Sequence, residues 1–264
     1  MAKTLVEQAL DRSVTLLGQK RLPNRNVLRT SYDLGFINTD LSVAKLVGAM
    51  KINPSGTFCF YGPAGTGKSE LARYIADEIG RPLLLRRASD ILNMYVGGTE
   101  KNIAKMFAEA RQQEAVLVLD EADSFLADRR DAKQSWEVTQ VNELLTQMEA
   151  FDGIFVCTTN LMGRLDQASL RRFTFKVKFD YLSSAQRWAM FLQELARMGC
   201  DMSQVNAWEK QVCGLDNLTP GDFAVVSRQV ALFGETPTPS AVFEALHGEC
   251  KAKGQVSHPM GFVV

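Results

Sequence analysis

The chain has 264 residues, 46% apolar and 23% charged, enough to bury a sizeable core and too apolar for a disordered polymer. Thirty basic residues balance thirty acidic ones, which argues against a surface built for nucleic acid or anionic membrane. Five scattered cysteines without a CxxC, two histidines and no apolar run long enough to span a bilayer suggest a reduced, cytoplasmic protein with no membrane insertion and no histidine-based metal site.

In chain order, Leu5, Ala9, Val14 and Leu17 predict an amphipathic helix over 3–20. Residues 21–40 are rich in turn formers, and Leu41 to Met50 predicts a short helix. Asn53-Pro54-Ser55-Gly56 then turns into an apolar strand, Thr57 to Tyr61. The strand runs into Gly62-Pro63-Ala64-Gly65-Thr66-Gly67-Lys68-Ser69 and a helix whose Leu71, Ile75 and Ile79 share one face. Strand, glycine loop, Lys-Ser and helix stand in the order a phosphate cradle needs. Backbone N–H groups of the loop and of the helix N-terminus face a phosphate chain, Lys68 reaches its terminal phosphates, and the Ser69 hydroxyl ligates Mg²⁺.

Gly80 ends that helix, and Pro82 to Arg86 predicts a second strand. A short helical piece at Asp90 to Met94 leads to the loop Tyr95-Val96-Gly97-Gly98. Thr99 is expected to cap the next helix, with Ile103, Phe107 and Ala110 inward. Ala115 to Leu119 is uninterruptedly apolar, the pattern of a strand covered on both faces. It delivers Asp120 and Glu121 at its end: Asp120 to hold the metal ion, Glu121 to align an attacking water on a γ-phosphate. Next come a helix with Val141, Leu144, Leu145 and Met148 inward, and a strand from Gly153 to Thr159. Asn160, at the tip of that strand, either orients water or simply forms a turn. Arg171-Arg172 is either a solvated face or the source of an arginine for a neighbouring subunit's phosphate, and Phe175 to Phe179 alternates as a last strand. Beyond Tyr181 the pattern is helical, with helix starts at Ser183/Gln186 and at Thr219-Pro220-Gly221-Asp222.

Together these residues resemble the AAA family of ATPases, within the AAA+ class. Tyr95 to Ile103 and Val138 to Gly153 carry the likeness most specifically, and it covers roughly residues 31 to 250. The resemblance implies an α/β fold: a P-loop three-layer core with a five-stranded parallel sheet, then a C-terminal helical lid. The division is an N-terminal segment at 1–30, a nucleotide-binding part at 31–180 and a lid at 181–264. It implies ATP and Mg²⁺ as ligands. Gly62 to Ser69, with Glu70, corresponds to Walker A, Asp120 and Glu121 to Walker B, and Asn160 to sensor 1. Leu34-Gly35 is similar to the segment against adenine, and Gly221-Asp222 to the lid-helix start beside ribose and base. Tyr95-Val96-Gly97 resembles the pore loop that grips a polypeptide in a hexameric ring. Arg172 matches the first arginine finger, whereas Phe175 stands in the place of the second and the usual Pro-Gly pair is missing. The implied activity is a ring-forming homo-oligomeric motor that remodels a protein substrate, directly or through an adaptor. The alternatives are a nucleic-acid-linked ATPase, a loader or transposition helper, and a slow ATP-gated assembly switch.

Overall fold

The apolar run at 115–119 becomes an interior strand of a five-stranded, all-parallel sheet. The computed structural model describes residues 33–95, 97–126, 135–160, 167–234 and 236–254. The helix expected at 3–20 lies outside them, as does Val96. All the described residues belong to the unit that begins at Asp33.

The strands are β1 (Gly56–Tyr61), β2 (Leu83–Arg87), β3 (Val116–Asp120), β4 (Ile154–Thr159) and β5 (Phe175–Lys178), in spatial order β2-β3-β4-β1-β5. Cys59 sits beside Cys157, and Leu117 beside Phe155. Helix α1 (Val43–Ile52) precedes β1, and between the strands run α2 (Lys68–Ile79), α3 (Ala88–Ile91), α4 (Gly98–Gln113), α5 (Asp123–Leu126), α6 (Ser135–Glu149) and α7 (Gln167–Leu170). Leu117 and Leu119 face a core shared with Phe107, Leu144 and Phe155. On the other face, α2 packs against β3 and β4 with Leu71 and Ile75 fully buried. Burial on both faces explains why β3 is apolar at successive positions instead of alternating. Each such side chain contributes about 1.5–3 kcal/mol over leaving it in water. The three-layer α/β expectation is met.

After β5 the chain is helical: α8 (Ser184–Arg197), α9 (Glu209–Cys213), α10 (Pro220–Phe233) and α11 (Pro239–Gly254). They build a second core from Phe191, Leu195, Val212, Leu218, Phe223 and Leu246. Both capping boxes form. Ser183 and Gln186 exchange side-chain and backbone bonds at the start of α8, and Thr219 and Asp222 do so at α10. Among the described residues no helix is long and apolar enough to cross a membrane.

Local expectations shift in three places. Thr99 is not the cap of α4. The helix begins at Gly98 on a left-handed Gly97, and the buried Thr99 hydroxyl instead accepts the Asn93 N–H at 3.0 Å. The short helix expected at Asp90 to Met94 lies earlier, at Ala88–Ile91, because the Asp90 carboxylate accepts the Arg87 N–H and closes that turn. The turn-rich stretch before residue 41 contains a 3₁₀ turn, Leu34–Phe36, capped by the Asp33 carboxylate.

Candidate functional site

The loop from Gly62 to Gly67 leaves β1 at the carboxyl end of the sheet and turns directly into α2. Gly62 is there because of a close approach: a Cβ would stand 2.1 Å from the Phe179 carbonyl oxygen. The Thr66 hydroxyl donates to the Pro63 carbonyl at 2.8 Å and braces the loop from inside, while Ala64 and Gly65 remain exposed. Lys68, at the first position of α2, is only 7% exposed. Its Nζ donates to Gly62 O (2.9 Å), Pro63 O (2.7 Å) and Asn160 Oδ1 (2.8 Å).

The tips of β3 and β4 meet this loop from the side. The Ser69 hydroxyl donates to Asp120 Oδ1 at 2.6 Å, joining the end of the loop to the end of β3. The Thr158 hydroxyl donates to the same carboxylate oxygen at 2.5 Å and accepts the Glu121 N–H at 3.1 Å. One buried hydroxyl on β4 therefore fixes both acidic residues. Glu121 itself is exposed and has φ of 55°, a left-handed conformation that costs a non-glycine residue about 1–2 kcal/mol. The Asp123 carboxylate accepts the Thr159 hydroxyl and, at 3.1 Å, the Asn160 N–H, which sets the stance of Asn160. Lys68, Ser69, Asp120, Glu121 and Asn160 are thus assembled at one end of the sheet. Thr158 and Asp123 belong to the assembly although sequence reasoning gave them no role. Their signal was the polar Thr158-Thr159 pair closing an otherwise apolar strand.

This arrangement has the chemistry of a polyphosphate site. Lys68 is a buried cation whose three hydrogen-bond acceptors are all neutral oxygens, and burial pushes its amine down to about 8. An anion beside it relieves that cost. Among the described residues no cluster of three or more His, Cys, Asp or Glu side chains could hold a metal by itself. Ser69 with Asp120 does suit Mg²⁺, which keeps waters and phosphate oxygens among its ligands and needs one or two protein groups.

Leu34 and Gly35 lie in the 3₁₀ turn, where Gln186 Nε2 donates to Gly35 O (2.9 Å) and Ile37 O (3.0 Å), tying the turn to the start of α8. The Gly221 N–H donates to Gly65 O at 2.9 Å, so α10 begins against the phosphate loop. Asp222, at the same helix start, is 6% exposed, and its Oδ2 accepts from Thr219 N–H, Thr219 Oγ1 and Lys253 Nζ. Glu70, on the first turn of α2, is exposed and 3.5 Å from the Arg73 guanidinium.

Tyr95 projects from the loop between α3 and α4, 74% exposed beside an 89% exposed Met94, with Gly97 closing the loop. Arg172 is not near Lys68 of its own chain. Its carbonyl accepts the Thr57 hydroxyl at the start of β1, roughly 13 Å of strand from Tyr61. Its guanidinium pairs with Glu149 at the end of α6. Phe175 lies in β5, stacked on Phe58 with ring centroids 5.2 Å apart. The position read as a lost second arginine thus carries an aromatic packed on the sheet.

The sequence is similar to that of known proteins. The family described as "ATPase family associated with various cellular activities (AAA)" matches residues 58–181. Spastin of Drosophila melanogaster is 27% identical over 187 residues, that of Xenopus laevis 29% over 193, and that of Gallus gallus 29% over 190. Each match takes in 68% of this chain but only 24%, 31% and 30% of the respective relatives, so the chain spans a quarter to a third of their length.

Proposed function

We propose that this chain, a member of the AAA family of ATPases through residues 58–181, hydrolyses ATP as one subunit of a ring that remodels protein substrates. The observation that carries the reading is the meeting of Lys68, Ser69, Asp120, Glu121 and Asn160 at the carboxyl end of the sheet, with Gly221 of the helical part resting on Gly65. Nucleotide would lie between a core at 31–180 and a lid at 181–264, its base near Leu34-Gly35. Lys68 would exchange neutral carbonyl partners for the β- and γ-phosphates. Ser69 and Asp120 would hold Mg²⁺, which supplies charge neutralisation on those oxygens. Glu121 would accept a hydrogen bond from the attacking water, and Asn160 would orient it. Thr158 would keep Asp120 and Glu121 in register throughout.

The depressed Lys68 amine leads to a solution signature. At pH 8 about half of the amines are neutral, and phosphate charge raises their affinity for protons. ATP binding is therefore expected to take up about half a proton at pH 8 and almost none from this group at pH 6.5. Calorimetry in buffers of different ionisation heat reads this directly. Equal heats in all buffers at pH 8 would mean that the amine is already fully charged.

The ring, which we take to be a homo-hexamer working in the cytoplasm, would place Arg172 of one subunit at the γ-phosphate of the next. Tyr95, Val96 and Gly97 would line the central channel and grip a polypeptide delivered directly or by an adaptor. An exposed aromatic two residues before a glycine pair suits such a grip. Tyr95→Ala is the test. Retention of a fluorescently labelled unfolded polypeptide, casein, in the presence of ATP is expected to drop at least about tenfold. Nucleotide binding, measured separately, reports that the variant is folded. Unchanged casein retention would remove the paddle role.

A further inference from the structure

Lys253, in the last turn of α11, stands at the far end of a polar chain that finishes on the phosphate loop. Its Nζ donates to Asp222 Oδ2 at 2.5 Å and to the Asn217 carbonyl at 2.9 Å, and lies 5.6 Å from the centroid of the Tyr181 ring. The same Asp222 oxygen accepts the Thr219 N–H at 2.6 Å and the Thr219 hydroxyl at 2.8 Å. Thr219 and Gly221 are what meet the loop. A Cβ on Gly65 would stand 2.8 Å from Thr219 Oγ1, and one on Gly221 would stand 2.8 Å from Gly65 Cα. No side chain fits between the two segments, so a small displacement of the α10 N-terminus is a displacement of the loop.

A lysine near a helix C-terminus commonly does no more than complement the helix dipole. Lys253 does something different: it reaches the first turn of another helix, 31 positions earlier in the chain, and places its charge on a buried carboxylate. That carboxylate gathers three donors on a single oxygen, and Lys253 supplies the only charged one. Charge-assisted bonds of this kind hold geometry more strongly than neutral ones.

We propose that Lys253 is a positioning residue for nucleotide, acting through Asp222 and Thr219 to hold the start of α10 against Gly65. The proposal rests on the ATP-binding reading above. It makes the end of the last helix part of the nucleotide site, although Lys253 touches no residue of the loop.

The experiment compares Lys253→Met and Lys253→Arg with the unaltered full chain. Binding of a fluorescent ADP analogue, KM and kcat for ATP, and thermal unfolding without nucleotide are measured for each. Lys253→Met is expected to bind the analogue about tenfold more weakly and to raise KM by a similar factor at unchanged saturated turnover. Lys253→Arg, which keeps the charge, should return within about threefold of the unaltered chain. In an Asp222→Asn background the Lys253→Met effect should disappear, because the acceptor is then uncharged. Unaltered affinity in Lys253→Met overturns the proposal. So does a loss that Lys253→Arg does not restore and that merely tracks a lowered unfolding temperature. An unaltered chain that fails to bind the analogue overturns the ATP-binding reading itself, an outcome distinct from a failure of Lys253 alone.

Discussion

Glu121→Gln is expected to lower steady-state ATP turnover by about 10²–10⁴-fold while leaving nucleotide affinity within about threefold of the unaltered chain. The carboxylate is exposed at the tip of β3, and the residue's hydrogen bond to Thr158 runs through its backbone N–H. Removing the charge therefore disturbs no buried partner. The amide preserves shape but is a weaker hydrogen-bond acceptor toward water than a carboxylate. In the proposed site affinity would come from other groups, Lys68 and the loop backbone, which the substitution leaves in place. The variant should consequently accumulate with ATP bound. Turnover equal to that of the unaltered chain would remove Glu121 from its assigned role.

Arg172→Ala is expected to cost about 10³–10⁵-fold in turnover, the usual contribution of an arginine that stabilises charge on a transferring phosphoryl group. The loss should be confined to assembled protein, because Arg172 lies at the amino end of β1, remote from Lys68 of its own chain. At concentrations where subunits separate, the variant and the unaltered chain should converge. Turnover per subunit, tracked against protein concentration, is the measurement. With Phe175 stacked on Phe58 where a second arginine was sought, one arginine would carry the contribution. In the proposed ring Arg172 would have to leave its Glu149 partner to reach a neighbouring phosphate. A loss of turnover in Arg172→Ala that is independent of concentration would place the defect inside the subunit.

The chemistry at the sheet edge was legible because sharp local signals surround it. β1, β3 and β4 end at Tyr61, Asp120 and Thr159, and the groups that meet are the far end of the loop after β1, the last residue of β3 and the residue after β4. Parallel strands put all those ends on one side, so chain order alone implies proximity. Thr158 was not legible as a positioning group, since a threonine at the end of a strand is also an ordinary β-former. Asp222 looked like a nucleotide contact because the lid-helix pattern is local, whereas its commitment to Lys253 depends on how α10 and α11 pack. Gln186 is a similar case: its capping role comes from Ser183 three residues away, but its hold on Gly35 and Ile37 spans about half the chain. Thr99 loses the cap because two adjacent glycines precede it, and a left-handed Gly97 lets the helix begin before the threonine. Side-chain commitments over long sequence distances are what local patterns leave open.

If each ATP site is completed by a neighbouring copy, two variants that are inactive alone should complement each other. Glu121→Gln keeps Arg172 but lacks the carboxylate proposed to align water, while Arg172→Ala keeps that carboxylate but lacks the arginine. In an equal mixture of the two, about a quarter of the head-to-tail interfaces pair an intact Glu121 with an intact Arg172. ATP turnover of the mixture is predicted to rise far above that of either variant alone. Turnover that stays at the average of the two inactive proteins would contradict the shared site.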